Sequence, residues 1–126
     1  MIIIPYKYLN LNPKHRKVSD CTVRAFALAH NISWYKSYDI LTEYAREECI
    51  VIDDVSFIDD FLSERYNYEC LKCKHMRTTV GELCYTHDIG TYLITMSGHI
   101  TCMINGTIFD IWDCRDQYAW RIWRVS

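Results

Sequence analysis

The segment from Ser97 to Asp113, SGHITCMINGTIFDIWD, decides the fold because the dipeptide Asn105–Gly106 joins two strand-like runs within it. Both runs are rich in β-branched and aromatic residues, which favour strands. An Asn-Gly pair between such runs favours a type I′ turn with two loop residues. If these two residues form the loop, Ile104 pairs with Thr107 and the pairing continues outward. The segment therefore predicts an antiparallel hairpin of defined register.

His99 and Asp110 lie on the two strands of this hairpin. The register makes them diagonal neighbours on one face, whereas Asp113 has the opposite parity unless a bulge intervenes. A buried carboxylate needs a partner, since an unpaired charge is costly to bury. The pattern favours Asp110 over Asp113 as the residue that orients the imidazole. The alternative is an edge strand on which Asp110 faces water.

Outside the hairpin, the sequence predicts helices first and strands afterwards. Asp20 is a predicted N-cap, and Thr79 with Glu82 forms a capping box. Apolar spacing predicts helices over 21–30, 33–47, from Val55 or Ser56 to 66, and 80–87. Residues 1–19 read as extended or irregular, YNYECLKC as a short strand, and the chain after Gly90 as strands. This order indicates an α+β fold, with N-terminal helices packed on a C-terminal antiparallel sheet, in one domain over 1–126.

The composition bounds the function. The chain has 126 residues, a net charge of −2 and scattered basic residues, so neither a nucleic-acid groove nor a membrane surface is expected. The opening MIIIPYKYLN is too short for a signal-peptide core or a membrane span. A cytoplasmic location is therefore expected. Seven cysteines, an odd number without a secretion signal, indicate reduced thiols.

Cys21 stands directly after the predicted N-cap, at the first helical position. The partial positive charge of a helix start favours a thiolate there. The alternative is a small apolar residue in the first turn. Arg24, one turn later, is expected to bind a carboxylate, either that of Asp20 or one from the sheet.

The segments SDCTVRAFA, TVGEL, GTYLITMSGHI and NGTIFDIWD together resemble small papain-like proteins of bacteriophages and prophages. The similarity spans Ser19 to Asp113, and the order Cys, His, acid is similar to that of the papain-like superfamily of cysteine peptidases and transglutaminase-like enzymes. The resemblance implies that Cys21 is the nucleophile, His99 the general base and Asp110 the orienting acid. It also implies a thiol hydrolase or acyl transferase without a cofactor that acts on a peptide, isopeptide or amide bond. The substrate would be a protein or peptide, and a host protein in the host cytoplasm if the chain is phage-encoded.

The sequence departs from the papain-like pattern at the oxyanion hole. Papain-like peptidases place a glutamine six residues before the cysteine, where this chain has His15. The backbone amide of Cys21 can serve as one donor to the oxyanion. Asn10, Asn12 and His15 are the candidates for the second donor.

A zinc site is the second hypothesis. Cys70, Cys73, Cys84 and His87 give C-x2-C, ten residues and then C-x2-H, with His75 close by. This spacing is compatible with a structural zinc ion in a small domain. The alternative is a buried Cys84 and a His87 that ends a helix. With zinc, the chain would also fit a catalytically silent interaction module of the same fold.

Overall fold

The computed structural model describes residues 2–54, 56–72 and 77–126, which contain four helices and a sheet of six strands. The helices are α1 Cys21–His30, α2 Trp34–Glu48, α3 Phe57–Glu64 and α4 Val80–Thr86. The strands are β1 Tyr6–Tyr8, β2 Cys70–Lys72, β3 Thr91–Met96, β4 His99–Ile104, β5 Thr107–Asp110 and β6 Ala119–Arg124. The predicted α+β class is confirmed.

The helices begin close to their predicted caps. The side chains of Ser33 and Thr79 each accept a hydrogen bond from a backbone amide in the first turn of α2 and α4. Asn31 ends α1 in the left-handed conformation, with φ 52°. Asp20 occupies the N-cap position of α1, but its carboxylate makes no capping bond, so this detail of the prediction is wrong. Its carboxylate has other partners, which are described below.

The bounds of α1 match the predicted ones, and those of the other helices differ by one or two residues, most clearly in α3, which stops at Glu64. Val55, one of its two predicted starts, lies outside the described residues. The longest described helix is α2, with 15 residues. Within residues 2–54, 56–72 and 77–126, no helix combines the length and apolarity that a membrane span requires.

The sheet has the strand order β1-β5-β4-β3-β6-β2. Ile104 lies opposite Thr107 and Cys102 opposite Phe109, so the register predicted from the Asn105–Gly106 turn is confirmed. A second tight hairpin joins β3 to β4, and it starts β4 at His99. The hairpin that carries His99 and Asp110 therefore lies inside the sheet, between β1 and β3.

The N-terminal segment adds a strand that the sequence did not predict. β1 runs parallel to β5, with Tyr8 opposite Asp110. The backbone N–H of Leu9 donates to the Asp110 carbonyl at 3.1 Å, and the Tyr6 hydroxyl donates to the same oxygen at 3.0 Å. The sheet is mixed, and the prediction of an antiparallel one is wrong. A three-residue strand is too short to show alternation, and its partner lies about a hundred residues away.

Helices cover both faces of the sheet. Side chains alternate along the strands, so Leu93 and Cys102 join one apolar cluster while Ile94 and Met103 join another. The first cluster contains buried residues of α1, α2 and α3: Val23, Phe26, Leu41, Tyr44, Phe57 and Phe61. The second contains Val80, Leu83 and Cys84 of α4. The helices are thus divided between the two faces instead of sharing one.

The two hairpin glycines offer a matched test of this packing. Gly98 and Gly106 both have positive φ, at 66° and 79°. A Cβ on Gly106 would lie 2.6 Å from the carbonyl oxygen of Cys84 in α4, whereas a Cβ on Gly98 would meet nothing within 4 Å. We expect Gly98→Ala to cost about 1–2 kcal/mol of unfolding free energy from backbone strain alone. Gly106→Ala should cost clearly more, as measured by urea unfolding. Equal costs would contradict the close contact between α4 and the hairpin.

Candidate active site

Cys21 is the first residue of α1, as the sequence predicted. Its thiol interacts with the His99 side chain and with the backbone N–H of Ile100. Burial opposes ionisation, but these two contacts and the charge of Arg24 outweigh it and lower the pKa of the Cys21 thiol. The free backbone amides at the start of α1 act in the same direction. The surroundings of Cys21 therefore favour the thiolate.

His99 is held by Asp110. Its Nε2 lies 2.6 Å from Asp110 Oδ2, and the two side chains are 11% and 2% exposed. Burial lowers the pKa of His99, but hydrogen bonds, first of all to Asp110, outweigh it and raise the pKa to about 11. For Asp110, burial raises the pKa, and the contact with His99 outweighs it, so that the pKa is lowered. Because Asp110 engages Nε2, Nδ1 is the nitrogen left to exchange a proton with Cys21.

Asp113, the other candidate acid, lies apart from the imidazole contact. Its carboxylate accepts from Arg115 Nε at 2.8 Å and from Arg115 Nη2 at 2.7 Å. β5 ends at Asp110, so the chain has left the sheet before it reaches Asp113. The contact predicted from the hairpin register, His99 with Asp110, is the one observed. The catalytic role of these residues stays a prediction.

Arg24 links the Cys21 helix to the strand that carries Asp110. Its Nε donates to Asp20 Oδ1 at 2.7 Å, and its Nη1 donates to Asp110 Oδ1 at 3.0 Å. Arg24 therefore binds Asp20 and a carboxylate of the sheet at the same time, whereas the sequence predicted one or the other. Asp20 Oδ2 also accepts from Trp34 Nε1 at 2.9 Å and from Asn12 Nδ2 at 3.1 Å. These bonds occupy the Asp20 carboxylate and explain why it does not cap α1.

Cys114 is a neighbour of the site that sequence reasoning missed. Its buried thiol contacts His99, and ligand atoms of His99, Asp110 and Cys114 all lie within 4.8 Å of one another. The three residue types could hold a metal ion. The Asp110 carboxylate already has partners, however, since His99 Nε2 and Arg24 Nη1 occupy its two oxygens. Cys114 follows Asp110 by four residues, and this proximity in the sequence is the feature that could have indicated its place near the site.

The three candidate oxyanion donors instead shape the loop before α1. Asn12 is buried, and its Oδ1 accepts from the backbone amides of Lys14 and Arg16. Asn10 donates to the carbonyl of Arg16, and His15 is exposed with φ 55°. Asn10, Asn12 and His15 are all absent from the walls of the two larger depressions that border Cys21. Within the described residues, the backbone amide of Cys21 is the oxyanion donor that remains from the sequence prediction.

The predicted zinc ligands are not brought together among the described residues. Cys73 and the neighbouring His75 lie outside them. Cys70 packs against the cluster of α1, α2 and α3, whereas Cys84 is buried in the α4 cluster on the other face of the sheet. Cys84 contacts the carbonyls of Val80 and Pro5, and burial raises the pKa of its thiol to about 11. His87 Nδ1 hydrogen-bonds to Thr86 Oγ1. The sheet itself therefore separates Cys70 from Cys84.

Two larger depressions border Cys21, in addition to a small cavity of about 10 Å³ that it shares with Arg24 and Asp110. The first, which we call the acidic cleft, has a volume of about 150 Å³, and its lining includes Cys21, Thr95, His99, Asp53, Asp54 and Asp59. The second, the aromatic cleft, has about 730 Å³ and is lined by residues that include Cys21, Trp34, Tyr38 and Val51. The Trp34 and Tyr38 rings stack in it with centroids 5.2 Å apart. The two clefts share the lining residues Cys21, Thr22, Ile52, Asp53 and Gly98, so they are continuous beside the thiol.

Removing the buried cation tests the network. Arg24→Met leaves Asp20 and Asp110 without their shared partner, so we expect the unfolding free energy to fall by about 3–5 kcal/mol. Urea unfolding followed by circular dichroism measures this loss. The control Arg115→Met breaks an ion pair whose side chains are 38% exposed and should cost less than about 1 kcal/mol. Similar losses in the two variants would contradict a structural role for the Arg24 network.

Acid should release the same network. Burial raises the pKa of both carboxyls, but contacts, with Arg24 for Asp20 and with His99 for Asp110, outweigh it and lower both values. A lowered folded-state pKa contributes stability that is present above the unfolded-state value of about 3.9 and is lost as the pH falls through the folded-state value. We expect the urea midpoint to fall between about pH 5 and about pH 2. Arg24→Met should show a shallower dependence, and an unchanged slope would contradict the linkage.

Comparisons of the chain with protein-family models, with curated proteins and with solved structures gave no match. The resemblance to papain-like proteins therefore stays a prediction from the sequence motifs. The α+β architecture and the contacts of His99 and Arg24 with Asp110 do not depend on this resemblance.

Proposed function

We propose that the protein is a thiol hydrolase or acyl transferase that acts on a peptide, isopeptide or amide bond through Cys21, His99 and Asp110. One observation carries the proposal: the Cys21 thiol at the start of α1 lies beside the imidazole of His99, whose Nε2 is 2.6 Å from Oδ2 of the buried Asp110. Low-pKa thiols beside a histidine are the usual nucleophiles of such reactions. The papain-like resemblance of the sequence points in the same direction.

The first half of the reaction forms a thioester. His99 takes the proton of Cys21, and the thiolate attacks the carbonyl carbon of the substrate. The Cys21 backbone N–H, at the first position of α1, is available to the developing oxyanion because it has no acceptor within the helix. The imidazolium then protonates the leaving amine as the carbon–nitrogen bond breaks. Asp110 keeps the imidazole oriented and stabilises its charge throughout.

The second half releases the acyl group. His99 accepts a proton from water or from an amine, whose oxygen or nitrogen attacks the thioester carbonyl. The carbon–sulfur bond breaks, and Cys21 is regenerated. Water as the acceptor makes the protein a hydrolase, and an amine makes it an acyl transferase. The two clefts that border Cys21 would bind the substrate chain next to the reacting bond.

A catalytically silent interaction module is the second candidate. The observation that favours it is the lack of a second oxyanion donor among Asn10, Asn12 and His15, none of which lines the clefts in the described part of the chain. Loss of one such donor costs roughly 100- to 1,000-fold in rate. In this case the clefts beside Cys21 would bind a partner chain without cleaving it.

Thiol alkylation separates the two candidates. We expect iodoacetamide near neutral pH to label Cys21 at least about tenfold faster than the exposed Cys49, because the thiolate is the reacting species. His99→Ala should abolish this preference. The matched control is His87→Ala, which removes a partly buried imidazole that packs on Tyr92, in the α4 cluster away from Cys21. Mass spectrometry of digested protein gives the rate at each cysteine.

Turnover provides the second readout. Any amide-bond cleavage by the protein should fall about 100-fold or more in His99→Ala, as expected for loss of a general base. The same variant should no longer accumulate a thioester on Cys21. Labelling of Cys21 at the rate of Cys49 would remove the main support for catalysis and would leave the interaction module.

A further inference from the structure

The acidic cleft has an uneven distribution of charge. Asp53, Asp54 and Asp59 line it, and no lysine or arginine does so among the described residues. The cationic group that lines it is His99, which Asp110 already pairs. A ligand in this cleft would therefore meet three carboxylates around its walls. A cluster of acids alone is common on protein surfaces, so further observations are needed.

Asp59 is only half satisfied. Its Oδ2 accepts from Arg121 Nη1 at 2.8 Å, while its Oδ1 is buried without a hydrogen-bond partner. The indole N–H of Trp123 acts to lower the pKa of Asp59, but it does not form a hydrogen bond to the carboxylate. Burial raises the pKa of Asp59, because Arg121 compensates for the lost hydration only in part. A second donor at Oδ1 would stabilise the carboxylate.

Thr95 is the second unsatisfied group. It lines the cleft from β3, is only 6% exposed, and its Oγ1 has no hydrogen-bond partner. Buried hydroxyl groups without a partner are rare, since each costs about 1–3 kcal/mol. Thr95 and Asp59 thus both line the same small cavity, and each has a buried oxygen without a hydrogen-bond partner. A ligand that carries several N–H donors would satisfy them.

The rest of the lining is apolar. Side chains of Ile52, Ile58, Met96, Ile100 and Trp120 complete the walls. Apolar walls beside carboxylates suit the methylene stem and the charged head of lysine or arginine. Trp120 is exposed enough to offer its ring face to a cation. The volume of about 150 Å³ fits one side chain and is below the roughly 300 Å³ at which drug-sized sites begin.

We propose that the acidic cleft binds a lysine or arginine side chain of the substrate, next to the bond that Cys21 attacks. The inference rests on the proposed function, because it assigns the cleft to the substrate of that reaction. It names the substrate class as peptides or proteins with a basic residue beside the reacting amide. Arginine fits best, since its planar fork presents five donors to Asp59, Thr95 and the cleft-lining carboxylates.

Peptide binding to a Cys21→Ser variant tests the inference without any chemistry. The probes are blocked peptides that differ only in one residue, arginine or its uncharged isostere citrulline, and isothermal titration gives the dissociation constants. We expect the arginine peptide to bind at least about fivefold more tightly, because charge-assisted bonds in a partly buried site exceed neutral ones. Added salt should reduce the difference. Equal affinities would overturn the proposal.

Charge-removing variants locate the effect. Asp59→Asn and, separately, Asp54→Asn should each reduce the arginine-to-citrulline ratio at least about twofold. Asp60→Asn is the matched control, because Asp60 lies exposed on the same helix as Asp59 and does not line the cleft. Asp54→Asn provides the test if Asp59→Asn fails to fold, since Asp54 is exposed and, unlike Asp53, does not also line the aromatic cleft. An arginine preference that both cleft variants leave intact would overturn the assignment to this cleft.

The wild-type thiol distinguishes the two proposals. Peptidyl chloromethyl ketones with arginine or citrulline beside the ketone should label Cys21 with the same preference as in binding. If iodoacetamide shows a reactive Cys21 but the two ketones react equally, the acidic-cleft proposal fails and the hydrolase proposal stands. If arginine peptides bind preferentially while Cys21 is unreactive, the reverse holds.

Discussion

The buried guanidinium of Arg24 is the constraint on which the site depends. It binds a carboxylate at the start of α1 and another at the end of β5, and thereby fixes the distance between the helix of Cys21 and the strand of Asp110. A buried cation costs several kcal/mol to desolvate and is stable only when its partners are well placed. Sheet, helix and loop are therefore positioned around one side chain.

The same network sets the charges of the reacting groups. Asp20, Arg24, Asp110 and His99 form a line in which negative and positive groups alternate, and Cys21, whose thiol pKa is lowered, follows. Each group stabilises the charged form of its neighbour, which outweighs the burial that each of them undergoes. Asn12, in the loop before α1, also belongs to this network, because it donates a hydrogen bond to Asp20. The preference for a thiolate beside an imidazolium thus depends in part on that loop.

The sequence was informative where the signal was local. The Asn105–Gly106 turn defined the register, and the register brought His99 to Asp110 and excluded Asp113. Contacts that depend on distant residues were missed or wrong: the parallel pairing of β1, the placement of α4 on the second face, and the approach of Cys114 to His99. Asp20 was correctly predicted at the N-cap position of α1, but its carboxylate binds Arg24 and does not cap the helix. A nearby cation attracts a carboxylate more strongly than free backbone amides do.

The shared guanidinium also limits how such a chain can change over generations. A neutral residue at position 20 or 110 leaves Arg24 with one partner, and a neutral residue at 24 leaves two carboxylates to repel each other. Each single replacement is therefore costly, and loss of Asp110 also leaves the buried imidazole of His99 without its carboxylate. Positions 20, 24 and 110 are therefore energetically coupled, and in related sequences they should vary together or remain fixed.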